Sequence, residues 1–246
     1  MTRSMPSLDL SPTLRNLYWP RWIVVRIAWS CLVAAGVCAQ VWAQVIPSPG
    51  IDLEQISSQL EADATIETRL DVDFDGDGRT DTVLATQSRY GRKVLAIQAH
   101  RDDGGHRLIG TLELSQQPLV PVQLSYADGL ISIVDLTGDD TATQVRYQFK
   151  FDRQSRTLRL AALDVGRYSR KRRHDSVRLN WDPGEGRQSL AYGKPATGAD
   201  SENGYRYGDV RRSRRAPATL TMEQTPTGDE VLAQAGVKLG KGGHGD

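Results

Sequence analysis

Beyond residue 64 the chain is built from short apolar-rich runs, many alternating apolar with polar, cut apart by glycine, proline and aspartate. The clearest is residues 145–151, where Val145, Tyr147, Phe149 and Phe151 interleave with Arg146, Gln148 and Lys150. Side chains of a strand point alternately to its two faces, so the first set is expected in a core and the second in water. Residues 152–156 then turn, and residues 158–163 return as the partner strand. Further runs occupy residues 65–74, 82–87, 93–100, 106–114, 120–126, 130–136, 176–182 and 188–192. Between them stand turn formers: Tyr90-Gly91, Asp102-Asp103-Gly104-Gly105, Asp128-Gly129 and Pro183-Gly184-Glu185-Gly186. No helical period alternates with the strands, so the expected fold is mainly β. It reads as an antiparallel meander forming a sandwich or curved sheet, with disordered termini.

The organisation that follows has four parts. Residues 1–43 read as a signal peptide, 44–64 as a linker with a short helix near residues 53–60, and 65–193 as the β-rich domain. Residues 194–246 read as a basic, low-complexity C-terminal extension, mobile at 196–203 and 225–246, with a short helix at 228–235. In the first part a polar stretch with Arg3, Arg15 and Arg21 precedes an apolar core at 27–38, and Val41-Trp42-Ala43 supplies the small residues a signal peptidase needs. The expected location is periplasmic or secreted, with no stable membrane span once the segment is cut. An uncleaved inner-membrane anchor is the alternative, because residues 27–50 carry no formal charge; Gln40, Gln44 and Pro47 make them poor lipid filler. Both cysteines, Cys31 and Cys38, lie in the segment to be removed. The mature chain then has no disulfide, no catalytic thiol and no cysteine zinc site.

Charge is divided along the chain although the formal net charge is only +1. Residues 44–140 hold 7 basic against 17 acidic side chains, and residues 141–215 hold 18 basic against 8 acidic. An acidic half suits cations and a basic half suits anionic surfaces, and the two also attract each other within one fold. The densest basic clusters are Arg170, Lys171, Arg172 and Arg173, and then Arg211, Arg212, Arg214 and Arg215. For an exported protein an anionic envelope glycolipid or polysaccharide is the accessible partner, and nucleic acid is disfavoured.

The sharpest chemistry lies at residues 73–81. Asp73, Asp75, Asp77 and Asp81 occupy relative positions 1, 3, 5 and 9, and the Arg79 carbonyl at position 7 adds an oxygen. Calcium takes six to eight oxygens, and a tight loop can turn alternate side chains toward one point. Gly76 and Gly78 permit the positive φ such a turn demands. Four carboxylates so close repel without a counter-ion, and calcium is the expected cofactor. Position 12 is Leu84 and the flanks read as strand, so the loop is not an EF-hand.

On Asp73, Asp75, Asp77 and Asp81 with Gly76 and Gly78, followed by the strand Thr82-Val83-Leu84-Ala85, the segment resembles the calcium loop of FG-GAP and VCBS-type repeats. More broadly, residues 70–180 are similar to uncharacterised exported bacterial β-proteins with a single such loop. The resemblance implies a β-hairpin around a structural calcium and brings no catalytic residue. A single loop does not make a propeller.

Other candidates have simpler readings. Asp135, Asp139 and Asp140 could serve a second cation, but Gly138 makes the stretch a turn that needs none. His100 and His106 flank an Asp-Gly turn rather than a clear zinc site. No local signature of a hydrolase elbow, metalloprotease helix or phosphate loop is present. The leading expectation is a non-enzymatic, calcium-stabilised domain for binding or envelope maintenance. A module for anionic polymers such as lipopolysaccharide is the first alternative, and a periplasmic hydrolase assembled from dispersed residues is the second.

Overall fold

The computed structural model describes residues 51–56, 60–99, 105–171, 175–197 and 204–237. Residues 1–43, which the sequence reads as a signal peptide, and His100, Arg172, Arg173 and the last residues of the chain lie outside them. A single helical turn, α1 (Leu53–Ile56), precedes four strands: β1 (Thr65–Val72), β2 (Asp81–Ser88), β3 (Gly91–Ala99) and β4 (His106–Leu114). Then come β5 (Gln123–Ala127), β6 (Leu130–Gly138), β7 (Thr141–Asp152), β8 (Thr157–Ser169), β9 (Ser176–Asp182) and β10 (Arg187–Pro195). Two short strands, β11 (Tyr205–Tyr207) and β12 (Arg211–Arg214), and the helix α2 (Gly228–Gln234) complete the series.

Every pairing is antiparallel, and the strands form two sheets. The first has the order β1-β2-β3-β4; the second runs β11-β10-β9-β8-β7-β6-β5, with β12 also paired to β10. The chain changes sheet between β4 and β5, where Pro118 and Pro121 deny the ladder two N–H donors. The hairpin turn at Asp128-Gly129 has φ of 54° and 75°, the left-handed pair that a type I′ turn requires.

Alternation places the inner faces of both sheets on one core. Val83, Ala85, Val94, Ala96, Leu112 and Leu114 come from the first sheet, and Ile131, Ile133, Val145, Tyr147, Phe149, Leu163 and Leu179 from the second. The mainly β, antiparallel expectation is met, and β7 alternates as its sequence predicts. β2 is buried without interruption from Asp81 to Thr86, because its opposite face is also covered. There Leu84 and Ile97 pack with Ile51 and Ile56 of the N-terminal turn.

The reading of residues 194–246 as a low-complexity extension needs correction for residues 204–237. Tyr205 is buried, and its hydroxyl both donates to the Ser169 carbonyl (2.9 Å) and accepts from the Ser169 N–H (3.0 Å). Met222, Val231 and Leu232 are buried in the shared core. α2 starts with a capping box, in which Thr227 accepts from the Glu230 N–H and Glu230 accepts from the Thr227 N–H. The helix occupies nearly the residues its sequence predicts, but as a core element. Among the described residues no helix is long and apolar enough to cross a membrane.

Candidate metal centre

The loop of residues 73–80 joins β1 to β2, and Val72 and Asp81 face each other where it closes. Gly76 and Gly78 take φ of +75° and +90°. The carboxylates organise the turn from inside. One Asp73 oxygen accepts from the N–H of Gly76 (2.7 Å) and of Asp77 (3.1 Å), and the other from Gly78 (2.9 Å). Asp75 accepts from the Asp77 N–H (2.9 Å), and Asp77 from the Arg79 N–H (2.8 Å). Asp81 is fully buried and ties the loop to β3, accepting from Phe74 N–H (3.1 Å) and Ala99 N–H (2.9 Å).

Neighbouring elements hold the loop in place. Gln98 of β3 donates its amide to Asp75, and Arg107 of β4 donates to Gln98 (3.2 Å). Arg153, in the turn between β7 and β8, donates to the Asp75 carbonyl (3.2 Å). Phe74 is buried and packs on Phe151 with ring centroids 5.8 Å apart. The loop is therefore anchored to both sheets. Gln98 and Arg153 were not candidates from sequence. Gln98 had a legible signal, since it falls on the same alternating face as Val94 and Ala96; Arg153 had none.

Asp73, Asp75 and Asp81 each offer a carboxylate oxygen within 4.8 Å of the others. Calcium–oxygen distances of about 2.3–2.6 Å separate opposed ligands by up to about 5 Å, so this spacing suits one ion bound by hard oxygens. Asp77 is not in that group; its carboxylate caps the Arg79 N–H.

Burial is the main cause that pushes the Asp81 carboxyl up to about 7, helped by the charges of Asp75 and Asp73 and opposed by the Ala99 and Phe74 N–H groups. Burial also raises Asp75, with Asp77 and Asp73 adding to it and the Gln98 hydrogen bond opposing it. A carboxyl whose folded value lies above its ordinary 3.8 binds more protons folded than unfolded. Stability without a cation is therefore expected to fall as pH rises from about 4 to about 7 through this group. A dication at the three carboxylates reverses the sign, so the gain in melting temperature on adding calcium should be larger at pH 8 than at pH 5. Melting curves with calcium or chelator at both pH values check this, and a gain that shrinks with rising pH contradicts it.

No protein-family model matches the chain, and neither a curated protein nor a solved structure matches it. The likeness to FG-GAP loops thus rests on the residues of the loop itself.

The other sequence candidates separate clearly. Asp135 is not available for a second cation: it points into the core and pairs with the buried Arg92 at 3.1 Å. Asp140 takes Lys171 at 2.6 Å, and the Asp139 carbonyl accepts from Arg170 (3.4 Å). The first basic cluster is thus partly balanced by the β6–β7 turn. In the second, Arg215 lies over the Trp181 ring at 5.6 Å and donates to Gln188 and Gln234, which ties α2 to the sheet. Arg211, Arg212 and Arg214 are exposed. His106 starts β4, and its notional zinc partner His100 lies outside the described residues.

Proposed function

We propose that the chain is an exported, calcium-stabilised β-domain that acts in binding or envelope maintenance rather than in catalysis. Convergence of the Asp73, Asp75 and Asp81 carboxylates in a loop anchored to both sheets carries this reading. The Asp77 carboxylate and the Arg79 carbonyl are the further oxygens that the loop sequence offers. Calcium here is a structural tie: it neutralises a partly buried acidic cluster and holds the β1–β2 hairpin against the β7–β8 turn. Export rests on the segment of residues 1–43, and an envelope is where calcium is plentiful enough for a loop of modest affinity.

Calorimetry of calcium binding to residues 44–246, with melts in calcium and in chelator, tests the proposal. One site is expected. Calcium at a hundredfold excess over Kd should add about 2.7 kcal/mol, which is roughly 5–10 °C for a domain of this size. Asp75→Asn should lower the affinity at least tenfold. Absence of binding at millimolar calcium removes the proposal. Within the binding role, the exposed arginines of β12 favour a partner that is an anionic envelope polymer.

A further inference from the structure

The outer face of the second sheet carries a row of polar side chains at matched register. Asp164 of β8 faces Asn180 of β9, which faces Ser189 of β10, which faces Arg212 of β12. Three of the four are joined: Asn180 donates to Asp164 (2.7 Å) and Ser189 donates to Asn180 (3.2 Å). Arg214 stands on the same face of β12 as Arg212, opposite Arg187. Around this row lies a depression of about 560 Å³, and a second of about 290 Å³ continues past Asp164 toward Arg146 and Arg178. Ala162 and Gly166, two positions either side of Asp164, keep its floor low.

We propose that this groove binds a carboxylated polysaccharide, a chain of uronic-acid type. The proposal deepens the binding role above and rests on it, but not on calcium. Charge decides the ligand class. Arg187 is neutralised by Glu185 and Asp182, whereas Arg212 and Arg214 have no partner among the described residues. Two free guanidinium groups call for acid groups spaced along the ligand, and arginine takes carboxylates with two parallel hydrogen bonds. At the other end of the row Asp164 stands opposite Arg146 of β7 and accepts from Asn180, and its remaining lone pairs can accept from a ligand hydroxyl. A sugar offers such a hydroxyl and a phosphodiester backbone does not, so a glycan that carries both hydroxyls and carboxylates fits this row better than DNA. From β8 to β12 the row crosses three strand spacings, about 14 Å, the reach of a short oligosaccharide.

The test uses the full chain against oligogalacturonate, neutral dextran and single-stranded DNA, by calorimetry at low and at moderate salt. Oligogalacturonate should bind with an affinity that falls as salt rises. Arg212→Ala and Arg214→Ala should each weaken it about tenfold. Arg211→Ala should leave it unchanged, because that side chain lies on the other face of β12, over the Tyr192 ring at 5.9 Å. All four β12 side chains are exposed, so these variants keep the fold, and their melting curves verify it. No binding of oligogalacturonate, equal binding by the Arg212→Ala/Arg214→Ala variant, or equal binding of dextran or DNA overturns the proposal. The calcium response of melting, read on the same samples, reports separately on the loop.

Discussion

Replacing Arg92 with methionine should cost about 3–5 kcal/mol, the price of leaving buried charge without its partner. The Arg92 side chain is fully buried between the sheets. It contacts Glu67 of β1 with two nitrogens (2.7 and 2.9 Å), Asp135 of β6 (3.1 Å) and the Ser115 carbonyl (2.9 Å). The two carboxylates respond oppositely. The Arg92 hydrogen bonds hold Glu67 below its ordinary range, while burial raises Asp135 despite the same guanidinium. Without Arg92 two nearly buried acids face each other across the sheets. A melting temperature lower by roughly 10 °C or more at pH 7 is the expected readout, since each kcal/mol moves a domain of this size by about 2–4 °C. The deficit should narrow at acid pH, because raised carboxyl groups lose stability as pH rises through their folded values. Adding Glu67→Gln and Asp135→Asn to Arg92→Met should recover much of the loss. A single variant that melts like the parent, or a triple that melts no higher than the single, contradicts the role given to the cluster.

That cluster also marks the limit of what the chain discloses on its own. The alternation of residues 145–151 states its strand and its buried face, because apolar and polar side chains follow the pleat. Arg92 follows the same rule against expectation. It shares a parity with Val94 and Ala96, and Asp135 shares one with Ile131 and Ile133, so strand alternation places both inward. An isolated charge reads as exposed only because its partner lies 43 residues away. Residues 204–237 hid for a different reason. Their core contacts are few, Tyr205, Met222 and the Val231–Leu232 pair, and the polar stretches between them carry no period. Local pattern gives β1 to β10 but not the short β11 and β12; which sheet a strand joins depends on long-range pairing that turn residues do not encode.

The loop was legible because its chemistry is local. Aspartates at relative positions 1, 3, 5 and 9 with two glycines state both the turn and the charge it gathers. The division of labour among them was not legible. Asp81 belongs to β2, and burial makes it the most perturbed of the four, whereas Asp77 serves the backbone. Supports from Gln98 and Arg153 arise only when β3 and the β7–β8 turn arrive from elsewhere in the chain.

Asp81→Asn separates the two tasks of that residue. Two effects oppose each other in the cation-free protein. The amide removes a buried charge whose carboxyl sits at about 7, which is favourable above neutral pH. It also presents an NH2 group where the carboxylate accepted from either Phe74 or Ala99, and a buried N–H left unpaired costs about 1–3 kcal/mol. These are of similar size, so the cation-free melting temperature at pH 8 should change little. Its fall between pH 5 and pH 7 should flatten, because the group that titrates is gone. With calcium the outcome is one-sided: the variant loses a charged oxygen of a three-carboxylate set. The roughly 2.7 kcal/mol expected for the parent at a hundredfold excess of calcium should disappear at that concentration. Melting at pH 5 and pH 8, with calcium and with chelator, yields all three comparisons from one preparation. A variant that keeps the full calcium shift shows that the ion, if bound, does not need the buried aspartate. A variant that melts far lower in chelator shows instead that the Phe74 and Ala99 hydrogen bonds, and not a cation, are the main task of Asp81.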